Sequence, residues 1–143
     1  LQYYGAWTDF TEGRLEQAAQ RIDELAAKEL DASLKRDVAY LRGRLLEKRG
    51  EPKEALAQLM ASLAIDSNSA QARSAMTSAY GHASTLGDAS NVQALIEMAG
   101  RRPDSADVLL AMGNQAYAAK AWNEARQAYD ATLAQNASEG TKI

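Results

Sequence analysis

Three glycines, Gly13, Gly50 and Gly87, lie 37 residues apart each time, and each stands between two segments of helical character. The local sequences are FTEGRLEQAAQRI, EKRGEPKEALAQL and STLGDASNVQALI. A glycine just past a helix end adopts the left-handed conformation that closes the helix at little cost. A period of about 20 to 50 residues is typical of stacked supersecondary units. The spacing therefore predicts a chain built from repeated helix–turn–helix units.

A fourth unit follows in AAKAWNEARQAY, where the turn falls around Lys120, 33 residues after Gly87, without a glycine. After each turn, the second helix carries three positions spaced by four and then three residues, which places them on one stripe of a helix. A small first member lets paired helices approach closely, and the second member fills the space beyond. The four triplets are Ala18, Ile22 and Leu25; Ala55, Leu59 and Ser62; Val92, Ile96 and Ala99; and Ala125, Tyr129 and Thr132.

The composition favours an all-α protein. The chain is rich in Ala, Leu, Gln and Glu, with two prolines and one phenylalanine, whereas strands favour β-branched and aromatic residues. The net charge is −3, with 10 basic against 12 acidic residues in 1–69 and 6 against 7 in 70–143. Neither half has the basic surface that nucleic acid or an anionic membrane requires. No run approaches the roughly 18 apolar residues of a membrane span. We therefore expect neither nucleic-acid binding nor direct membrane insertion.

The spacing of the turn glycines and of the four triplets resembles that of tetratricopeptide repeats, whose pattern is W-x2-L-G-x2-Y, then A-x3-F, then A, then P. In LLAMGNQAYAAKAWNEARQAYDATL, the first three pattern positions are Leu109, Met112 and Gly113. The later positions are Ala125, Tyr129 and Thr132. The second repeat matches at Gly43, Ala55 and Leu59 and ends in AIDSNSA. The resemblance implies a right-handed α-solenoid of antiparallel helix pairs, forming one domain with repeats at about 1–32, 36–69, 70–105 and 106–137.

The chain departs from this pattern at several places. The tyrosine of the first helix is replaced by Leu46 in the second repeat and by Ala116 in the fourth. Counting forward from DSN places the tyrosine of the third repeat at Tyr80, and GHASTLG then contains an extended helix end or a loop. Three extra residues, 33–35, separate the first two repeats.

Nothing in the sequence predicts catalysis, a metal site or a cofactor. His82 is the only histidine and cysteine is absent, so a zinc site or a Ser-His-Asp triad would need unusual partners. No nucleotide-binding glycine motif is present. The charges around the second helix predict a solvated face with ion pairs along the helix. They are Glu12, Glu16, Asp23 and Glu24, interleaved with Arg14, Arg21 and Lys28.

The resemblance places the partner-binding groove on the first helices, which line the concave side of such a stack. Aromatic residues and arginine are the common anchors of interfaces, although the same aromatics would serve equally well as packing between repeats. Arg44 and Lys48, four apart, suit an acidic side chain or a C-terminal carboxylate. If they line a groove, replacing Tyr40 and Arg44 should weaken binding with little loss of stability. The implied groove residues are Tyr3, Trp7 and Phe10; Tyr40, Arg44 and Lys48; Ser74 and Thr77; and Asp107, Asn114 and Tyr117.

These observations predict a non-catalytic scaffold that holds a peptide or protein partner as an adaptor or assembly factor. The alternative is an architectural spacer or oligomerisation segment of a large bacterial envelope or secretion protein. The opening LQYYGAW has the pattern of a helix interior, so we expect a fragment of a longer protein whose targeting signal lies elsewhere. Uncapped terminal repeats would then promote self-association. The alanine-rich, cysteine-free composition favours a bacterial source and leaves the compartment open between periplasm and cytoplasm.

Overall fold

The computed structural model describes residues 2–140, and over this range it contains eight α-helices and no strand, which confirms the all-α class. The helices group into two compact units, one up to Asp66 and the other from Ser67. The N-terminal unit holds α1–α4 and the C-terminal unit holds α5–α8. The helices are α1 (Gln2–Thr11), α2 (Leu15–Ala26), α3 (Ala32–Lys48), α4 (Pro52–Ile65), α5 (Ala70–Leu86), α6 (Ala89–Gly100), α7 (Ser105–Ala118) and α8 (Trp122–Gly140).

Local sequence signals fix where several helices begin. The side chains of Asp31, Ser69 and Asp88 cap α3, α5 and α6 by accepting hydrogen bonds from backbone N–H groups in the first turn. Because α3 begins at Ala32, the extra residues 33–35 lengthen a helix and do not form a linker. Likewise, α5 continues for 17 residues to Leu86, so GHASTLG is an extended helix end.

The turns within the four helix pairs have the predicted conformation. Gly13, Gly50 and Gly87 have φ of 82°, 74° and 69°, in the left-handed region. Lys120 has φ of 61° and is the one non-glycine residue in the described range with positive φ. The layout of AAKAWNEARQAY therefore located the fourth turn where no glycine marks it, and lysine there adopts a conformation that costs a residue with a Cβ about 1 kcal/mol or more.

We expect Lys120→Gly to stabilise the protein by about 1 kcal/mol, because glycine adopts this conformation without the Cβ clash. Ala119→Gly is the matched control, since Ala119 has φ of −83° and glycine there should only add backbone freedom and lower stability. Thermal unfolding followed by circular dichroism measures both. Equal destabilisation by the two changes would show that the turn at Lys120 is unstrained.

The core of the N-terminal unit contains the two predicted stripes, with α2 packing on α1 and α3, and α4 on α3. Five of the six stripe residues are almost completely buried and Leu25 is 6% exposed. A Cβ at Gly43 would lie 2.9 Å from the side chain of Leu59, so α3 and α4 approach closely at this point. Ser62 is the polar residue of the stripe on α4, and its hydroxyl donates a hydrogen bond to the backbone oxygen of Arg36 at 2.9 Å.

In the C-terminal unit, burial recurs with an offset of 33 residues. Val92 and Ala99 are buried like Ala125 and Thr132, and the middle members Ile96 and Tyr129 are half-buried. The fully buried leucine of α6 is Leu95, which lies outside the predicted stripe. The buried residues of α5 and α7 correspond at the same offset; the pairs are Ala72 and Ser105, Met76 and Leu109, Ala79 and Met112, and Ala83 and Ala116.

This offset corrects the alignment of the third repeat. Tyr80 corresponds to Gly113, and the tyrosine position of the pattern falls on Ala83, so the count that placed it at Tyr80 was wrong. Tyr80 is completely buried, and its hydroxyl donates to the backbone oxygen of Glu124 at 2.6 Å. Burial, with a smaller contribution from the charge of Glu124, raises the pKa of Tyr80. The hydroxyl is therefore a fixed structural donor that ties α5 to the start of α8.

Candidate functional site

One side of α1 carries a row of aromatic rings. Tyr3, Trp7 and Phe10 are spaced by four and then three residues and lie on one side of the helix. The ring of Trp7 meets Tyr3 and Phe10 edge to face, with centroids 6.4 Å and 5.6 Å away. The indole N–H also donates to the Tyr3 hydroxyl at 2.5 Å. All three rings are half-buried against the core of the N-terminal unit, so they both pack and remain accessible.

Trp7 connects this row to α3. Its ring lies 6.2 Å from that of Tyr40, and Arg44 and Lys48 follow Tyr40 along α3 at intervals of four residues. The aromatic row of α1 thus meets α3 at Tyr40, and the two basic side chains follow about one and two turns further along α3. We call this set of six predicted groove residues the aromatic–basic face; it consists of Tyr3, Trp7, Phe10, Tyr40, Arg44 and Lys48.

The members of this face differ in exposure. Tyr40 is only 7% exposed, so it contributes to the packing of α1 on α3, and from this burial we expect its removal to lower stability. Arg44 is partly exposed and pairs with Glu47 on the same helix, at 3.1 Å. Lys48 is exposed at the end of α3. The accessible chemistry of the face is therefore that of half-buried rings beside two basic groups.

The charged residues predicted around α2 are exposed, as expected for a solvated face, but the ion pairs of Arg21 and Asp23 reach neighbouring helices and do not run along α2. Asp9 of α1 is 6% exposed and pairs with Arg14 at 2.8 Å and Arg21 at 2.9 Å. On the other side, Asp23 pairs with Arg42 of α3 at 2.7 Å. A buried carboxylate needs such partners because its desolvation is costly. These ion pairs therefore hold α1, α2 and α3 together.

The remaining predicted groove residues belong to the C-terminal unit. Thr77 is half-buried, and its hydroxyl donates to the backbone oxygen of Arg73 at 3.0 Å. Asn114 is exposed and accepts a hydrogen bond from the Tyr129 hydroxyl at 2.8 Å. Tyr117, 58% exposed, packs edge to face on Trp122 with centroids 5.1 Å apart. Ser74 and Asp107 are exposed.

One polar cluster of this unit was not found from the sequence. Arg102, 6% exposed, binds both carboxylate oxygens of Asp104, at 2.8 and 3.2 Å. The same guanidinium donates to the backbone oxygens of Ser67 and Ser69, at 2.8 and 3.0 Å. It thus fastens the segment before α5 to the turn between α6 and α7. The sequence shows two adjacent arginines, and no local signal indicates that the second one is buried.

Within residues 2–138, no group of three or more His, Cys, Asp or Glu side chains is arranged to hold a metal ion. His82 is half-buried in α5. Among the helices of the described range, none combines the length and the apolar character needed to cross a membrane.

Comparison of the chain with protein-family models gives no match, and comparison with curated proteins gives no significant one. The likeness to tetratricopeptide repeats therefore rests on the residue pattern.

Proposed function

We propose that this protein is a non-catalytic interaction scaffold of tetratricopeptide type, whose helix pairs stack as a right-handed solenoid and which binds a peptide segment of a partner protein on the aromatic–basic face. The observation that supports the proposal is the contact of Trp7 with Tyr40, because it brings the aromatic row of α1 against α3, the helix that carries Arg44 and Lys48. The recurring left-handed turns and buried stripes support the repeat architecture.

The face has the features of a binding hot spot. Trp, Tyr and Arg dominate such sites because they bury a large area and lose little side-chain freedom. Here the rings of Tyr3, Trp7 and Phe10 are already held in place by their edge-to-face contacts, so a partner would not have to order them.

The chemistry of the partner follows from the basic end of the face. A peptide that places an apolar side chain on the rings would carry a carboxylate, from an acidic residue or from its own C-terminus, towards Lys48 and Arg44. Because Glu47 already pairs with Arg44, the exposed Lys48 is the better-placed of the two groups. Such charge-assisted hydrogen bonds contribute about 1.5–3 kcal/mol when they are shielded from water.

The test is selection of a random peptide library with free C-termini against the full chain. We expect enriched peptides to contain an aromatic or aliphatic residue close to a carboxylate. Their affinity is then measured from the emission of Trp7 in a Trp122→Phe background, which leaves Trp7 as the single tryptophan. Replacing Arg44 and Lys48 together by glutamine should raise Kd about tenfold, which corresponds to about 1.4 kcal/mol.

Lys35→Ala is the matched control. It removes one positive charge, against two in the test variant, from an exposed position of the same helix about 140° around from Lys48, so Kd should stay within a factor of about two. Enrichment of neutral or basic peptides, equal effects of both changes, or no enriched peptide at all would count against the proposal.

The alternative function, an architectural or oligomerisation segment, is favoured by one observation, the exposed apolar side chains of the last helix pair. The two functions use different units of the chain and are compatible with each other.

A further inference from the structure

Helix α8 has one apolar face that is buried against the neighbouring helices, and a second stripe that they cover only in part, at Tyr129. Ala125, Ala128 and Thr132 are buried where α8 packs on α6 and α7. About a quarter turn around the helix runs a second stripe, Trp122, Arg126, Tyr129 and Leu133, spaced by four, three and four residues. Its two ends are strongly exposed, Trp122 by 56% and Leu133 by 66%.

The neighbouring helix enlarges this surface. Tyr117 of α7 packs on Trp122, and Leu110, seven residues earlier on the same side of α7, is 45% exposed. The exposed parts of Leu110, Tyr117, Trp122 and Leu133 add up to roughly 500 Å² of mainly apolar area. A stable dimer of standard size buries about 800 Å² per partner, of which about 60% is apolar. The patch therefore has the apolar area that one side of a dimer needs.

The order of side chains on the stripe makes it self-complementary. When two copies of α8 lie antiparallel across a two-fold axis near the middle of the helix, Trp122 meets the partner's Leu133, and Arg126 meets the partner's Tyr129. Arg126 then also comes beside the partner's Asp130, and each of these contacts occurs twice. A cation over a tyrosine ring and an apolar pair at each end are both favourable contacts.

We propose that the protein forms a two-fold symmetric dimer through the exposed stripe of α8, with Tyr117 and Leu110 at the rim of the interface. This dimer goes beyond peptide binding, since it uses the C-terminal unit, whereas the aromatic–basic face belongs to the N-terminal unit. Each dimer would carry two such faces, and the effective affinity increases for a partner whose two peptide segments can reach both.

Sedimentation velocity and light scattering of the full chain test the dimer. We expect twice the monomer mass as the concentration rises through a Kd of about 1–100 µM, with no larger species. Leu133→Glu places two buried charges in the interface and should give a monomer with an unchanged helical spectrum. Arg126→Glu should raise Kd by about tenfold, because it removes the contacts to the partner's Tyr129 and Asp130.

Leu86→Glu is the matched control, since it introduces the same charge at an exposed leucine of the same unit, at the end of α5, and should leave the dimer intact. A monomer at every concentration would overturn the proposal, as would a Leu133→Glu protein that still dimerises. Growth beyond the dimer would point to head-to-tail association and would also overturn it. The peptide measurements on Trp7 do not depend on these results.

Discussion

Replacing Arg102 with methionine should lower the free energy of unfolding of the C-terminal unit by about 1–3 kcal/mol, the usual cost of leaving a buried hydrogen-bond acceptor without its donor. Methionine keeps much of the aliphatic stem but donates no hydrogen bond. The backbone oxygen of Ser67 would lose this donor. The backbone oxygen of Ser69 would keep the N–H of Ala72 at 3.1 Å, and the carboxylate of Asp104 would keep Arg73 at 3.2 Å. Urea denaturation followed by circular dichroism measures the loss.

Arg101→Met is the control, because it makes the same change at the adjacent, exposed arginine and should alter stability by less than about 0.5 kcal/mol. Arg102→Lys, which keeps the charge but has fewer donors than the guanidinium, should fall between the wild type and Arg102→Met. If Arg101→Met and Arg102→Met had equal effects, the cluster around Arg102 would contribute nothing beyond a surface charge.

The wild type and Arg102→Met should also differ in how their free energy of unfolding changes at acid pH. Hydrogen bonds from Arg102, aided by its charge and that of Arg73, hold the pKa of Asp104 below its ordinary value. A carboxylate with a lowered pKa stabilises the fold fully above its unfolded pKa of about 3.9, and the contribution is lost as the pH falls through the lower folded value. The stability difference between wild type and Arg102→Met should therefore be constant above about pH 5 and should narrow below about pH 4.

Gly113→Ala should destabilise the C-terminal unit by about 1–3 kcal/mol, although alanine is the better helix former by about 1 kcal/mol. A Cβ at this position would lie 2.5 and 2.6 Å from two ring atoms of Tyr129. The ring would have to move, and with it the hydroxyl that donates to Asn114 at 2.8 Å. Urea denaturation measures this loss as well.

Gly100→Ala supplies the comparison within the same unit. A Cβ there meets only the side-chain nitrogen of Gln135, at 3.4 Å, so the change should be neutral or stabilising by up to about 1 kcal/mol. Combining Gly113→Ala with Tyr129→Leu should recover part of the loss, with a coupling of about 0.5–3 kcal/mol between two residues in contact. Strictly additive effects would show that α7 and α8 do not meet through this pair.

The aromatic–basic face could be anticipated only in part from the sequence. Helical spacing places Tyr3, Trp7 and Phe10 on one side of α1, and Tyr40 and Arg44 on one side of α3. Whether the two rows meet depends on the distance and rotation between the helices, which the spacing within each helix does not contain. The distance and rotation between the two helices also decide that Tyr40 is buried while Lys48 remains exposed.

The sequence alone determined the helices, their turns and most of their buried stripes, because these depend on interactions between residues close together in the chain. The layout of AAKAWNEARQAY even located the turn at Lys120, where glycine is missing. Only the tertiary structure showed that Tyr80 of the third repeat is equivalent to Gly113 of the fourth. It also decided that Arg102 is buried while Arg101 is exposed. Those outcomes depend on residues more than 30 positions away, such as Glu124 and Ser67, and only packing brings these groups within hydrogen-bond distance.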